Sequence, residues 1–196
     1  MKNRVITISR EFGSGGRTIG KKVAEKLGIP CYDSELIQKI AEESGFAENY
    51  VKEAGEYVPG GFLSSVLANR AFGPTNEDIL WETQCRVIME LAEKGPCVIV
   101  GRCADYILRN RDDVVRVFIM GDMPTRIKTI MARKNLSEDQ AKKLIKEVDK
   151  DRSSYYRYYT DQIWGEAENY DLCIDSGRIG VQGVVDVIKA YIAARK

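Results

Sequence analysis

The chain has 196 residues, 44% of them hydrophobic and 30% charged, the profile of one ordinary globular domain long enough to bury a real core. Thirty Lys and Arg against 29 Asp and Glu leave a net charge of +1. That balance gives no general electrostatic case for nucleic acid or an acidic surface as partner, so electrostatic function must come from local clusters. There is no histidine, which excludes any mechanism needing an imidazole base, and the five cysteines (Cys31, Cys85, Cys97, Cys103, Cys173) form no CxxC pair.

Met1 to Val5 lead into a strand without an apolar signal core, and no run reaches transmembrane length, so the expectation is a cytoplasmic protein with reduced thiols and no membrane partner. Val5 to Ser9 is rich in β-branched residues. It breaks into Gly13-Ser14-Gly15-Gly16, after which Ile19, Val23 and Leu27 recur at helical spacing until Gly28 and Pro30 stop them. Strand, glycine loop and helix in that order bring backbone N–H groups and a helix N-terminus together on an anion. Cys31-Tyr32 allows a brief strand ending at Asp33-Ser34. Leu36, Ile37, Ile40 and Ala41 then line a second helix that Gly45 ends.

Residues 46–74 are less regular. Ala47 to Glu56 and Phe62 to Ala71 have helical character, separated by a break at Pro59-Gly60-Gly61. Pro74 to Asp78 reads as a helix start with acids in its first turn, and the helix runs to Lys94, where Gly95-Pro96 closes it. Cys97 to Val100 is apolar throughout and too short for a helix, as expected of a central parallel strand, and Gly101-Arg102 stands at its carboxyl end. A short helix over about 104–109 and a strand over 114–119 follow. Pro124 opens a helix with Ile127, Ile130 and Met131, and Leu136-Ser137-Glu138 begins a charged helix that continues into the tyrosines at 155–159. Tyr170 to Asp175 is the last strand. The final helix carries a stripe of Val181, Val184, Val185, Ile188 and Ile192.

Five strands alternating with helices define an α/β fold with a mainly parallel sheet. In such sheets the site lies at the carboxyl ends of the strands, where the Gly13–Thr18 loop, Asp33, Gly101-Arg102 and Asp175-Ser176-Gly177 all fall. The phosphate-loop pattern GxxxxGK[ST] is not matched literally. With Gly15 as its second glycine, Arg10 stands at the first glycine, Gly16 at the lysine, and Arg17 one position later, before Thr18.

Ile6-Thr7-Ile8, the Gly13-Ser14-Gly15 loop and Thr18 resemble the opening of nucleoside monophosphate kinases, bacterial cytidylate kinases in particular. The similarity continues through Tyr32-Asp33-Ser34, Gly101-Arg102, the Phe118-Ile119 strand with its Arg126 helix, and Ile174-Asp175-Ser176. The variant loop from Ser9 to Arg17 resembles that of the cytidylate kinase-like group. The resemblance implies a single P-loop NTPase-fold domain, with a core over about 1–33, 96–130 and 165–196. It also implies a helical monophosphate-binding insertion over about 34–95 and a helical lid over about 131–164.

It further implies ATP and Mg²⁺ as cofactors, and phosphoryl transfer to a small phosphate-bearing acceptor such as a nucleoside monophosphate. Gly13, Ser14, Gly15, Gly16, Arg17 and Thr18 would hold the donor phosphates, with Thr18 also on the metal and Arg17 the nearest substitute for the lysine. Asp33, Lys39 and Arg102 would serve the acceptor. In the family's Gly-Arg-Asp signature the aspartate is replaced here by Cys103, leaving Asp105 as the next acid. Between Arg126 and Arg157 stand ten Lys and Arg against five Asp and Glu, and Arg126, Arg133, Arg152 and Arg157 are the lid candidates.

Several of these residues also have plain structural readings. Asp33 can cap the helix after it, Lys39 can be a solvated helix charge, and the tyrosines at 155–159 can pack a helix rather than stack on a base. A nucleotide-binding protein on the same fold with altered or lost catalysis, or a kinase of another small metabolite, is the competing functional reading.

Overall fold

The computed structural model describes residues 4–54 and 75–195. The break at Pro59-Gly60-Gly61, the helical expectation for Phe62 to Ala71, and Pro74 lie outside the described residues.

Five strands, β1 (Val5–Arg10), β2 (Cys31–Tyr32), β3 (Cys97–Val100), β4 (Val114–Met120) and β5 (Leu172–Asp175), form one sheet in the order β2-β3-β1-β4-β5. Every pairing is parallel, so the expected mainly parallel sheet is parallel throughout. β1 is central, with Ile8 opposite Val100 of β3 and Val117 of β4. Its six residues are all buried because helices cover both faces, which is why it reads as a continuous run rather than an alternating one.

Eight α-helices occur among the described residues: α1 (Gly16–Leu27), α2 (Ser34–Ser44), α3 (Glu48–Ala54), α4 (Asn76–Glu93), α5 (Ala104–Ile107), α6 (Met123–Lys134), α7 (Glu138–Thr160) and α8 (Ser176–Ala194). Side chains alternate across a strand, so β1 divides its core between two layers. Ile6 and Ile8 pack with Ile19 and Val23 of α1 and with Val184 and Ile188 of α8. Val5 points the other way, toward Leu36 and Ile40 of α2 and Val87 and Ile88 of α4. Gly20 lets α1 sit close to the sheet, since a Cβ there would lie 2.9 Å from Val100 Cγ2.

The helix ends follow local chemistry. Thr75 closes a capping box with Asp78 at the start of α4, and Ser137 closes one with Gln140 at the start of α7. Gly28 and Gly45 end α1 and α2 in the left-handed conformation. Helical geometry breaks once inside α8, at Gly180 (φ 69°). The five cysteines are all free thiols. Cys97, in the apolar run of β3, is 1% exposed, and burial pushes its thiol up to about 12.

α7 is a single helix from the charged 138–150 stretch through the tyrosines. Ala141 and Ile145 pack its first half on Ile127 and Ile130 of α6. Further on, Trp81 of α4 stacks on Tyr159 with ring centroids 4.3 Å apart, and Tyr155 and Tyr156 are buried. These tyrosines therefore join α7 to the body of the fold, the packing reading of the cluster.

Candidate active site

The loop after β1 turns through Gly13 (φ +88°) and Gly15 (φ +80°), both in the left-handed region that favours glycine. Gly15 precedes the first residue of α1, no side chain caps that helix, and its first turn carries no acid. The first-turn N–H groups and the positive end of the helix dipole therefore meet the cleft without a built-in anion. Ser14 is turned inward instead: its Oγ donates to the Glu11 carbonyl at 2.9 Å, while its own carbonyl accepts from Ser176 Oγ at 2.7 Å. The same hydroxyl lies 2.9 Å from the Met120 carbonyl, which shares its one proton, so the start of α8 braces the loop from behind.

A buried ion network fixes the other side of the loop. Arg126, 4% exposed, donates from Nε to the Phe12 carbonyl at 2.8 Å and lies 3.2 Å from Glu11 through Nη1. Its Nη2 pairs with Asp149 of α7. Asp149 in turn accepts the Phe12 N–H at 2.8 Å, and Glu11 accepts the Gly121 N–H at 2.9 Å. Burial holds the Glu11 carboxyl above its ordinary value, opposed by the Gly121 N–H and by Arg126. Gly13 packs so closely on α6 that a Cβ there would sit 3.0 Å from the Arg126 carbonyl oxygen.

The loop opens onto a cleft of about 280 Å³ whose lining includes Gly13, Gly15, Gly16 and Thr18. It is rich in cations: Arg10 and Arg17 of the loop region, Lys52 of α3, Arg102 after β3, Arg133 at the end of α6 and Arg152 of α7. Glu11 is the one carboxylate among its described lining residues. A second lobe of about 770 Å³ shares Arg17, Thr18, Ile37, Lys52 and Arg133 with the first and extends to Asp33 and the exposed face of α2. The two lobes are one continuous groove between the loop and the α2–α3 layer.

Arg17 sits where the lobes meet. Its Nε lies 3.0 Å and 3.1 Å from the two carboxylate oxygens of Asp33, and its side chain is 47% exposed. Asp33 makes no capping bond to α2, so the carboxylate serves Arg17 and not the helix. Arg102 is 5% exposed, and its Nη1 donates to the Val51 carbonyl at 2.9 Å. It thereby anchors α3 over the end of β3 while lining the groove. Arg133 and Arg152 lie 5.9 Å and 5.7 Å from the centre of the Phe12 ring. Arg152 Nη1 also donates to the Arg10 carbonyl at 3.0 Å.

The remaining candidates lie elsewhere. Arg157 is exposed on α7 and lines neither lobe. Lys39 also lines neither, and its ammonium pairs with Glu43 of its own helix at 2.9 Å and with Glu90 of α4 at 3.6 Å. Lys39→Met is accordingly expected to change stability by less than about 1 kcal/mol, as for weakly screened surface ion pairs. A loss above about 2 kcal/mol in denaturant titrations would show that the Lys39 pairs hold α2 on α4. Cys103 is buried against Tyr155 and Tyr156. Asp105 is 2% exposed beneath the cleft, accepting from Ser9 Oγ at 3.0 Å and from the Tyr156 hydroxyl at 2.7 Å.

Sequence reasoning passed over Glu11, Phe12, Lys52 and Asp149. Asp149 belongs to an alternating charge run, and its partner Phe12 is 137 positions away in sequence. Lys52 sits in the irregular 46–74 stretch, where nothing local marks it.

The fold and groove can be set beside known proteins. The sequence model of the cytidylate kinase-like family matches residues 5–178. A cytidylate kinase of Archaeoglobus fulgidus is 31% identical over 97% of this chain and 96% of its own length. A crystal structure of an uncharacterized protein from Eubacterium ventriosum superposes with a TM-score of 0.77 at 32% identity, covering 98% of this chain and 99% of that one. A shikimate kinase from Bacteroides thetaiotaomicron, at 17% identity and a TM-score of 0.56 over 97% of this chain and 98% of its own, shares the fold. The parallel sheet, the glycine loop leading into α1 and a match over nearly the whole length agree: the chain belongs to the cytidylate kinase-like family of P-loop kinase folds.

Proposed function

We propose that this protein transfers the terminal phosphoryl group of ATP to a small phosphate-bearing acceptor, with nucleoside monophosphates as the acceptor class. The observation that carries this reading is the continuous cationic groove. One lobe lies over the glycine loop, the other over Asp33 and α2, and they share Arg17, Thr18, Lys52 and Arg133. A binder of one anion has no use for a second lobe opening from the first through shared cations, whereas transfer between two phosphate-bearing ligands needs two adjoining sites.

The residues present fit such ligands. The backbone of Gly13 to Thr18 and the uncapped start of α1 would hold the donor phosphates. Arg102, Lys52 and Arg17 would hold the acceptor's phosphate, with Asp33 keeping Arg17 in place. The Thr18 hydroxyl at the junction of the lobes would ligate Mg²⁺, an ion that takes most of its ligands from phosphates and water and needs few from protein. Bound there, Mg²⁺ would neutralise charge on the transferring group. Arg133 and Arg152 enter the groove from α6 and α7, as a lid's arginines would. Arg126 supports the loop from beneath. Phosphoryl transfer asks the protein chiefly for positioning and charge neutralisation, which these side chains supply without an imidazole base.

One observation favours the competing reading, a nucleotide binder with altered catalysis: Gly16 stands at the lysine position of the loop pattern. Incubating the purified protein with ATP, Mg²⁺ and a panel of nucleoside monophosphates separates the two. Consumption of ATP that depends on one monophosphate supports the transferase. Measurable ATP binding with no turnover on any acceptor supports the binder.

A further inference from the structure

The pattern GxxxxGK[ST] places a glycine at the end of β1 and a lysine six positions later, directly after its second glycine; this chain has Arg10 and Gly16 at those two positions. The structure shows why the two changes belong together. Arg10 is 6% exposed, and its side chain runs from the end of β1 directly over Gly16. A Cβ on Gly16 would lie 2.5 Å from Arg10 Cβ and 2.8 Å from Arg10 Cγ. No side chain fits at position 16 while Arg10 is present. The guanidinium then passes Gly101, where a Cβ would be 2.1 Å from Arg10 Nη1. Glycines on both flanks thus leave a channel, and the side chain in that channel lines the groove at the floor of the loop.

We propose that Arg10 is the phosphate-facing cation of this loop, supplying from β1 the positive charge that the usual pattern supplies from the first turn of α1. The glycine and the cation have exchanged places, so the site keeps its charge and changes the direction from which it arrives. Arg17, the nearer candidate in sequence, is 47% exposed and holds Asp33 through its Nε, which places it toward the acceptor lobe. A planar guanidinium offers several donors to phosphate oxygens where an ammonium is a compact point charge, so the exchanged site would grip the phosphate by a fork. This proposal rests on the phosphoryl-transfer reading for the identity of the ligand.

The test is calorimetric titration of the full chain with MgATP and with adenosine, on the wild type and on Arg10→Gly, Arg17→Ala and the double variant Arg10→Gly/Gly16→Lys. The expected result for Arg10→Gly is a loss of MgATP affinity of about 10- to 100-fold, the range of a charge-assisted hydrogen bond, with adenosine affinity unchanged. Restoring the lysine in the double variant, where the channel is now open, should return at least about tenfold of that loss. Thermal melting identifies which variants fold.

Arg10→Gly binding MgATP as the wild type does overturns the proposal, and a loss seen only in Arg17→Ala assigns the cation to Arg17. An Arg10→Gly variant that fails to fold or loses adenosine equally, unrepaired by Gly16→Lys, makes Arg10 a packing residue and also overturns it. A wild type that binds no MgATP removes the phosphoryl-transfer reading and this proposal with it. A wild type that binds and turns over, beside an unaffected Arg10→Gly, removes this proposal alone.

Discussion

Arg126→Met is expected to cost about 3–5 kcal/mol of stability, the range for breaking a buried ion pair by removing one partner. For a chain of this size that lowers the melting temperature by roughly 6–20 °C. Methionine keeps most of the aliphatic stem against α6 and α7, so the change isolates the charge. Without the guanidinium, Glu11 and Asp149 face each other across a poorly solvated space, and the Phe12 carbonyl loses its donor. Burial and the Asp149 charge already push the Glu11 carboxyl up, and Arg126 is one of the groups opposing them, so the variant's Glu11 should rise further. The sign of the pH dependence follows. The variant's deficit should shrink at low pH, where the Glu11 carboxyl accepts a proton, and be largest near neutrality. Adding Asp149→Asn should recover part of the loss. Chemical denaturation at two pH values checks this, and a deficit below about 1 kcal/mol near neutral pH would show that the network does not hold the loop.

Arg126 also shows where a reading of the sequence stops. Within its own segment it is one of ten cations, and resemblance places it with the lid arginines. Its three partners come from the loop after β1 and the middle of α7, and only folding brings them together. The elements themselves were legible because their signals are local. Gly28 and Gly45 end helices, Ser137 with Gln140 starts one, and the apolar runs at Val5 and Cys97 mark buried parallel strands. So was the edge of the sheet that carries the groove, since strand-to-loop order fixes it.

Which cation faces what could not be read from spacing. Arg17 follows the glycines directly yet turns to Asp33. Arg10 precedes the loop and packs across Gly16. Lys39 has a partner four residues along its own helix and another on α4. Side-chain direction is decided by such partners, and in this chain most of them are distant in sequence.

The packing of α7 holds Arg152 more firmly than Arg133 is held. Its middle is tied to the loop through Asp149, and its later turns to α4 through Trp81, Tyr155 and Tyr159. Arg152 lies between those two attachments, so it is fixed relative to the loop, with its Nη1 on the Arg10 carbonyl. Arg133 stands exposed at the end of α6, next to the turn that joins α6 to α7.

Asp105→Asn should make the protein more stable at neutral pH and flatten its stability profile above pH 4. Asp105 is nearly inaccessible, and burial is the largest influence on its carboxyl, raising it above the ordinary 3.8 although bonds from Tyr156 and Ser9 and the charge of Arg116 oppose the rise. An acid raised in the folded state binds a proton that the unfolded chain has released. Its favourable contribution is complete below 3.8 and is lost as pH climbs through the folded-state value, at up to about 1.4 kcal/mol per pH unit. Asparagine removes that titration and keeps the shape. Its oxygen can accept from one hydroxyl and its amide can donate to the other, because the Ser9 and Tyr156 hydroxyls are free to reverse direction. Glu11, also raised by burial, keeps a residual slope of the same sign in the variant. Asp105→Ala, by contrast, leaves the Ser9 hydroxyl without its acceptor and the Tyr156 hydroxyl with Gln162 Oε1 alone, and opens a void, so it should be less stable than the wild type at every pH. Denaturant titrations of the three proteins between pH 4 and pH 8 distinguish these outcomes. An asparagine variant with the wild-type slope would show that the Asp105 carboxyl does not titrate in this range. Because Asp105 lies beneath the groove without lining it, MgATP affinity should be the same in the asparagine variant and the wild type.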